Sequence, residues 1–448
     1  VSESEPETIT VVGSGLAGAL LACYLGGSGR RADLFDKRPD PRLGEGRGQR
    51  GRSINLALST RGLHALAEVG LADEVVRQAV AMRGRMIHHA DGSLAFQPYG
   101  KDDSEVLYSV SRGGLNRLLV EAAARHPTVR MAFEHRCTHV DLDELRLDFA
   151  CPGGSTVQVK ASVVVGADGA FSPVRQAMQR RERFDYSQEY LEHGYKELTI
   201  PAGPGGAYPM EKHALHIWPR GHFMLIALPN LDGSFTCTLF LPYEGPGGFD
   251  RLKGEKEVVA FFQKEFPDAL ALMPTLAADF AGNPTGPLVT VRCRPWREGG
   301  RVVLVGDACH AVVPFLGQGM NAAFEDCSVL LECLQSYGSR AGAFAEYERR
   351  RKPHLDALAQ LCIDNFVEMR DKVGSPLFVW RKRLAVLLHK VLGRWYLPLY
   401  TMVEFTRVGY ADAVKRARRQ DRWVAAAAAA AALACGAAVA AARSGSWN

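Results

Sequence analysis

The sequence predicts an α/β protein in which an open, mostly parallel sheet carries a second, antiparallel-sheet domain and a helical C-terminal region ending in a membrane anchor. Three junctions between an apolar strand and a glycine turn predict the parallel sheet. They are Ile9 to Val12 before Gly13-Ser-Gly15-Leu-Ala-Gly18, Val163 to Val165 before Gly166-Ala-Asp168-Gly169, and Val302 to Val305 before Gly306-Asp307. Short apolar runs bounded by glycine read as buried parallel strands.

The first junction continues into the helical pattern ALLACYL, so its glycines stand between a strand and a helix. In that context Gly13 permits the tight turn, Gly15 lets a pyrophosphate approach the backbone, and Gly18 lets helix and strand pack closely. A second strand, Ala32 to Phe35, ends at Asp36. That is about twenty residues on, where a carboxylate accepts from a ribose hydroxyl. Strand, glycines, helix, strand and acid in this order predict a Rossmann-like dinucleotide site. A second match, Gly46-Arg-Gly48-Gln-Arg-Gly51, follows no strand and opens no apolar helix, so it reads as loop.

At the second junction Ser172-Pro173 starts a helix with proline at its favoured first position. At the third, Asp307 sits beyond the carboxyl end of a strand, where ligands bind in open α/β sheets. Gly317, Gln318 and Gly319 then precede Met320 and Asn321. Unpaired backbone N–H groups at that helix start can face an anionic or electron-rich ring edge. GxGxxG, GADG and GD in this order resemble the single-component flavin-dependent aromatic hydroxylases, whose fold is that of para-hydroxybenzoate hydroxylase. The resemblance implies a Rossmann-like FAD-binding domain in which the second and third motifs touch the flavin and the route of the nicotinamide cofactor.

The chain of 448 residues is long for one domain, and its 47% hydrophobic content can fill a sizeable core. The expected division is a discontinuous FAD-binding domain (1–180 and 290–340), a substrate domain (181–289 with part of 75–110), a helical region (341–420) and an anchor (424–442). Within the substrate domain, His213 to Pro219, Phe223 to Leu228 and Ser234 to Leu241 are β-rich segments parted by turn chemistry. Residues 320–371 carry helical periodicity. The apolar stretch 378–405 is broken by His389, Lys390, Arg394 and Pro398, which suits a docked helix pair.

A net charge of +5, with basic residues spread among acids, gives no basic patch, so nucleic acid is not an expected partner. Ten cysteines without CxxC or His/Cys ligand spacing argue against a zinc site and suit a reducing compartment. The acidic start VSESEPETIT is unlike a secretory or transit signal, and no cleaved import signal is expected. Lys415, Arg416, Arg418, Arg419 and Arg422 precede the uncharged, alanine-rich Val424 to Ala442. As a helix that stretch is about 28 Å long, near the thickness of a bilayer core. Its basic flank favours a tail anchor in membrane lipid, with the body on the cytosolic side.

Segments outside the flavin motifs narrow the resemblance. GRSINLALSTRG (51–62), MRGRMIHHADG (82–92), RFDYSQEYLEHGYKELTIP (183–201), LHIWPRGHFMLIALPN (215–230), TCTLFLPY (236–243) and NFVEMRDKV (365–373) resemble the kynurenine 3-monooxygenase family. That family implies FAD reduced by NADPH, and O2 added to give a flavin hydroperoxide. Its oxygen passes to L-kynurenine ortho to the amino group, giving 3-hydroxykynurenine in tryptophan degradation. It also implies residence in the mitochondrial outer membrane, with no metal and no protein nucleophile. Carried over by position, Arg85, Tyr99, Asn365 and Tyr400 would bind the substrate carboxylate, for which the planar arginine fork is suited. The flavin would be held by Gly13, Gly15, Ala17, Gly18, Phe35, Asp36, Lys37, Arg38, Ala57, Arg112, Cys137, Asp307, Met320 and Asn321. Pro314 to Gly319 would line the isoalloxazine face next to substrate, Phe240 would form part of the aromatic wall, and His310 would be structural. Two other readings remain: a same-fold hydroxylase or epoxidase of a lipophilic quinone precursor or terpene, and a non-catalytic escort of related fold. The first would leave Arg85, Asn365 and two tyrosines without a carboxylate to meet, and the second would not need a complete GD loop.

Overall fold

The computed structural model describes residues 7–44, 55–100, 105–368, 384, 385 and 387–444. The second GxGxxG match at 46–51 lies outside the described residues.

All three predicted junctions fall in one six-stranded sheet. Its order is Arg297–Glu298, Val302–Leu304, Val163–Gly166, Thr8–Val12, Arg31–Phe35, Val129–Ala132, and every pair except the first is parallel. Val11, Val164 and Val303 have no exposed surface, because helices cover the sheet and select continuous valine-rich runs over alternating ones. Parallel neighbours in register end on the same side: Val12 lies opposite Gly166, and Gly166 opposite Leu304. The glycine turn, the GADG turn and the GD turn therefore emerge side by side, and that convergence positions the site.

A seven-stranded sheet forms the second layer, in the order Gly286–Arg294, Asp185–Ile200, Phe235–Pro242, Met224–Pro229, Ala214–Pro219, Gly84–His88, Leu94–Pro98. The three strands expected between 213 and 241 are present. The sheet is mixed, however, because Gly84–His88 joins Ala214–Pro219 in parallel. These two segments are distant in sequence, so no hairpin constrains their direction. Alternation sorts the side chains of Phe235–Pro242. Phe235, Cys237, Leu239 and Leu241 enter a core shared with Phe262 and Phe266 of the helical segment behind the sheet, whereas Phe240 joins the main core on the other face.

Helices Gly319–Ser336 and Arg340–Val367 fill most of the stretch whose periodicity is helical. Of 378–405, residues 378–383 and 386 lie outside the described residues. The helix Leu399–Phe405 is docked, with Met402 and Val403 buried, while Leu387, Val391 and Trp395 are exposed.

The expected membrane anchor is not supported. Val424 to Ala442 belongs to one helix, Tyr410–Ser444, whose first turn packs into the core through Tyr410 and Ala413. Among the described residues no helix is long and apolar enough to cross a membrane. Alanine explains the shortfall, because one methyl per residue offers far less apolar surface than leucine or isoleucine over the same length. The membrane-lipid partner rested on that anchor, and the mitochondrial outer-membrane location that the resemblance implied needed it; neither is supported.

Candidate flavin and substrate site

The glycine turn is shaped for a dinucleotide. Gly13 has φ +100° and donates its N–H to the Phe35 carbonyl at 2.7 Å. A Cβ on Gly18 would collide with the Gly13 carbonyl, so helix and turn are in close contact there. Gly15 is different: a Cβ on it would meet nothing nearer than Arg38 Nη2 at 3.9 Å, which leaves its backbone open to a phosphate. Helix Arg112–Ala123 docks on this turn through Asn116, which donates to the Ser14 carbonyl at 3.0 Å. Arg112 is exposed at the start of that helix. Asn116 lies in the same helical segment as Arg112, but spacing alone does not mark it as the docking residue.

Asp36 is buried, and both of its oxygens are engaged. It accepts from Ser14 N–H at 2.6 Å and from Arg38 N–H, Nε and Nη2 at 2.8, 2.9 and 2.8 Å. Burial alone would raise its pKa, but the Arg38 hydrogen bonds and charge hold it below the usual carboxylate value. A ribose hydroxyl can reach Asp36 only when Arg38, whose side chain is 43% exposed, turns aside. Lys37 is exposed beside it, and the Phe35 ring stacks on Phe149 at 4.3 Å.

Around the GD turn, Ala17 packs near Gly306, and Asp307 is exposed at the start of a short helix. Cys137 lies on a strand edge, where burial pushes its thiol up to about 12 and keeps it protonated. Asp168 of the GADG motif accepts from Val174 N–H at 3.2 Å through one oxygen, while the other is buried without a partner. Burial pushes that carboxyl up to about 6.

Asn321 spends its side chain on the protein. It accepts from Ser59 N–H at 2.9 Å and donates to the carbonyls of Ala57 and Gly317 at 2.9 and 3.0 Å. What Asn321 and Met320 can offer a ring edge is their backbone N–H groups, which lie in the first turn of Gly319–Ser336. The turn Pro314–Leu316 before them packs Phe315 against Phe240 and Phe366, with ring centroids 5.1 and 4.4 Å apart. Asn365 donates its amide to the Phe315 carbonyl at 2.7 Å and so braces this loop.

Of the four residues expected to meet a carboxylate, Arg85, Tyr99 and Tyr400 come together from distant parts of the chain, whereas the Asn365 side chain is bonded to the Phe315 loop. Arg85 sits opposite Leu215 in the parallel pairing, on the face where Met82, Tyr99, Leu107 and Leu228 cluster with Tyr400 and Phe405. Its guanidinium carbon is 5.0 Å from the Tyr400 ring centre and 5.8 Å from that of Tyr99, and the two rings stack at 5.8 Å. Arg85 Nε and the Tyr99 hydroxyl are buried without hydrogen-bond partners. Burial raises both tyrosines, Tyr99 to about 12, so their hydroxyls stay protonated and able to donate.

A buried polar chain links the GD turn to this cluster. Asp326 accepts from Gly306 N–H at 3.2 Å, contacts His310 Nε2, and accepts from Arg351 Nε at 2.7 Å. Arg351 and Arg61 share Glu325 at 2.5 and 3.0 Å, and the Arg61 guanidinium lies 4.1 Å from the Tyr410 ring centre. Tyr410 donates to Gln318 at 2.9 Å, and Gln318 donates to Glu404 at 2.5 Å. His310, expected to be structural, is engaged with Asp326 in this chain. Sequence reasoning passes over Arg61, Arg351, Gln318 and Glu404 as partners, since single residues on a loop and three separate helices form no motif.

A family model described as an FAD binding domain matches residues 7–361. The chain is 50% identical over 422 residues to the kynurenine 3-monooxygenase of Myxococcus xanthus, covering 94% of this chain and 90% of that protein. It is 45% identical over 420 residues to the kynurenine 3-monooxygenase of Dictyostelium discoideum, covering 91% and 90%. Among solved structures it is similar to 2-methyl-3-hydroxypyridine-5-carboxylic acid oxygenase (TM-score 0.68, 21% identity, covering 84% and 96%). It is also similar to Pseudomonas aeruginosa PqsL in complex with 2-aminobenzoylacetate (TM-score 0.66, 22% identity, covering 82% and 97%). These two likenesses show the fold alone. Relatives of the same name occur in bacteria, so family membership does not by itself carry the outer-membrane location. With that identity over nearly its whole length and the three glycine turns converging at one sheet edge, the chain belongs to the kynurenine 3-monooxygenase family of FAD-dependent monooxygenases.

Proposed function

We propose that this chain is an FAD-dependent monooxygenase that uses NADPH and O2 to hydroxylate L-kynurenine to 3-hydroxykynurenine. Family membership supports the reaction, and the single structural observation that carries the substrate is Arg85. Its guanidinium has no ion-pair partner among the described residues, and its Nε is buried and unbonded between two tyrosines. A buried donor left without an acceptor is costly, so such a group is built for an acceptor that arrives from outside. A carboxylate fits the fork, and the protonated hydroxyls of Tyr99 and Tyr400 supply further donors.

When bound, FAD supplies the reductive activation of O2, and the chain's own residues bind, orient and exclude water. Gly15 and the start of helix Arg112–Ala123 would hold the pyrophosphate, with Arg38 and Asp36 toward the ribose. The N–H groups of Met320 and Asn321 would meet the ring edge, fixed because the Asn321 side chain ties its helix to Ala57 and Ser59. Met82, Leu107 and Leu228 surround the clamp with apolar surface and keep water from it. Phe240 and Phe315 form a wall against which an aromatic ring can lie.

Purified, flavin-loaded protein mixed with NADPH and L-kynurenine tests this reading. NADPH oxidation matched by hydroxylated product is expected. Oxidation without product, or equal turnover of lipophilic aromatics that lack a carboxylate, would favour the same-fold alternative.

A further inference from the structure

We infer that Glu404 is the receptor for the α-ammonium group of the substrate, the partner of Arg85 in reading both charges of an amino acid. The inference rests on the functional reading above and adds a specificity-determining residue to it. Glu404 lies one helical turn after Tyr400 in Leu399–Phe405, so the two side chains share a face. Tyr400 is in contact with Arg85, which puts Glu404 on the side of the helix that looks into the clamp.

Glu404 is 1% exposed, and Gln318 donates to its Oε2 at 2.5 Å. Its Oε1 is buried with no hydrogen-bond partner. The clamp thus presents unused donors on Arg85 and Tyr99 beside a Glu404 oxygen that nothing occupies and that becomes an acceptor when the carboxyl gives up its proton. That set is complementary to a zwitterion and wasteful for a simple carboxylate.

The charged groups that face Glu404 are Arg85 and Arg61, and the other titratable groups around it, Tyr99, Tyr400, Tyr410 and Cys362, are raised and stay neutral; burial outweighs both arginines and pushes the Glu404 carboxyl up to about 8. Near neutral pH the empty site therefore holds Glu404 largely as the acid, and an arriving ammonium ionises it. Binding of L-kynurenine should release a proton that an amine-free ligand does not release.

The test is calorimetric titration of the FAD-loaded protein with L-kynurenine and with its deaminated analogue, which keeps the carboxylate and the aromatic ketone. Wild type should prefer L-kynurenine by about 10- to 100-fold, the range of a hydrogen bond to a charged group. Glu404→Gln should remove most of that preference and leave the analogue's affinity within about twofold, a ratio that an unreplaced charge-assisted bond predicts. Glu404→Asp should restore part of it. The heat of L-kynurenine binding should vary with the ionisation enthalpy of the buffer in wild type but not in Glu404→Gln. Parallel loss of both ligands in a flavin-retaining Glu404→Gln would overturn the assignment, since a carboxylate that only balances Arg85 treats them alike. Equal affinity of wild type for the two ligands would overturn it without any variant. Turnover of wild type is read separately: absence of hydroxylated product would sink the hydroxylase reading, while the ligand ratio would still decide the role of Glu404.

Discussion

Gln318, in the loop after the Gly-Asp turn, donates its side-chain amide to Glu404 at 2.5 Å and accepts the Tyr410 hydroxyl at 2.9 Å. One buried amide thus joins the loop expected beside the isoalloxazine to the helix that carries Tyr400. Replacing it by leucine leaves a hydroxyl and a carboxyl buried without their partner. At about 1–3 kcal/mol for each of the two orphaned groups, Gln318→Leu should lose roughly 2–6 kcal/mol of stability. Denaturant unfolding of the flavin-loaded variant checks this, and a value within about 0.5 kcal/mol of wild type, the range of neutral surface changes, would show that the tie is not formed.

Arg85→Ala should weaken L-kynurenine binding by about 2–5 kcal/mol, the cost of removing one partner from a desolvated charge pair. Kynurenamine, which lacks the carboxylate, should bind wild type poorly and lose little more in the variant. If both ligands lose equally, Arg85 acts by supporting the sheet junction between Gly84–His88 and Ala214–Pro219 instead.

Two glycines of the first turn should fail in different ways. A side chain at Gly15 meets only Arg38 Nη2 at 3.9 Å, so Gly15→Val should fold and lose the yellow flavin. A side chain at Gly18 strikes the Gly13 carbonyl, so Gly18→Val should lower the melting temperature even of flavin-free protein. Absorbance near the flavin band and thermal unfolding of apo protein separate the two. A flavin-replete Gly15→Val would remove the pyrophosphate from that backbone.

Much of the flavin half is legible in the sequence because its signals are local. Gly13, Gly18 and Asp36 act through neighbours a few residues away or through one strand pairing, and period and spacing record such contacts. The clamp is legible only by resemblance, since Arg85, Tyr99 and Tyr400 meet through a parallel pairing of Gly84–His88 with Ala214–Pro219 that no hairpin announces. Packing changes two expectations. Asn321 has the look of a ligand, yet its amide is used on Ser59, Ala57 and Gly317; Asp36 has the look of a free carboxylate, yet Arg38 occupies it. The anchor expectation fails because absence of charge does not make up for the small apolar surface of alanine. Glu404 escapes notice because a lone carboxylate in TMVEF forms no motif, and only the fold buries it.

Acid stability should depend on a buried histidine away from the clamp. His216 Nε2 lies 2.9 Å from the Glu211 carbonyl and therefore donates to it, which leaves Nδ1 as an acceptor at 2.8 Å from His88 Nε2. His88 in turn meets Asp268 at 2.7 Å, an oxygen it shares with Trp218 Nε1. A proton on His216 Nδ1 would face His88 with nowhere to donate, in a site only 1% exposed. Burial first, and the His88 charge after it, push His216 down to about 4. Because the folded value lies below the unfolded value, the unfolded chain takes up the proton first as pH falls. The stabilisation is therefore complete above the unfolded value near 6.5 and disappears as pH drops through the folded value near 4. At about 1.4 kcal/mol for each pH unit that separates the two values, it amounts to roughly 3.5 kcal/mol. His216→Gln keeps a donor and an acceptor without titrating, so its unfolding free energy should fall less steeply than wild type between these two values. Denaturant melts of both proteins at several pH values across that window give the two slopes. Identical slopes would mean that His216 is already protonated in the folded protein, with the Glu211 and His88 contacts rearranged to accommodate it.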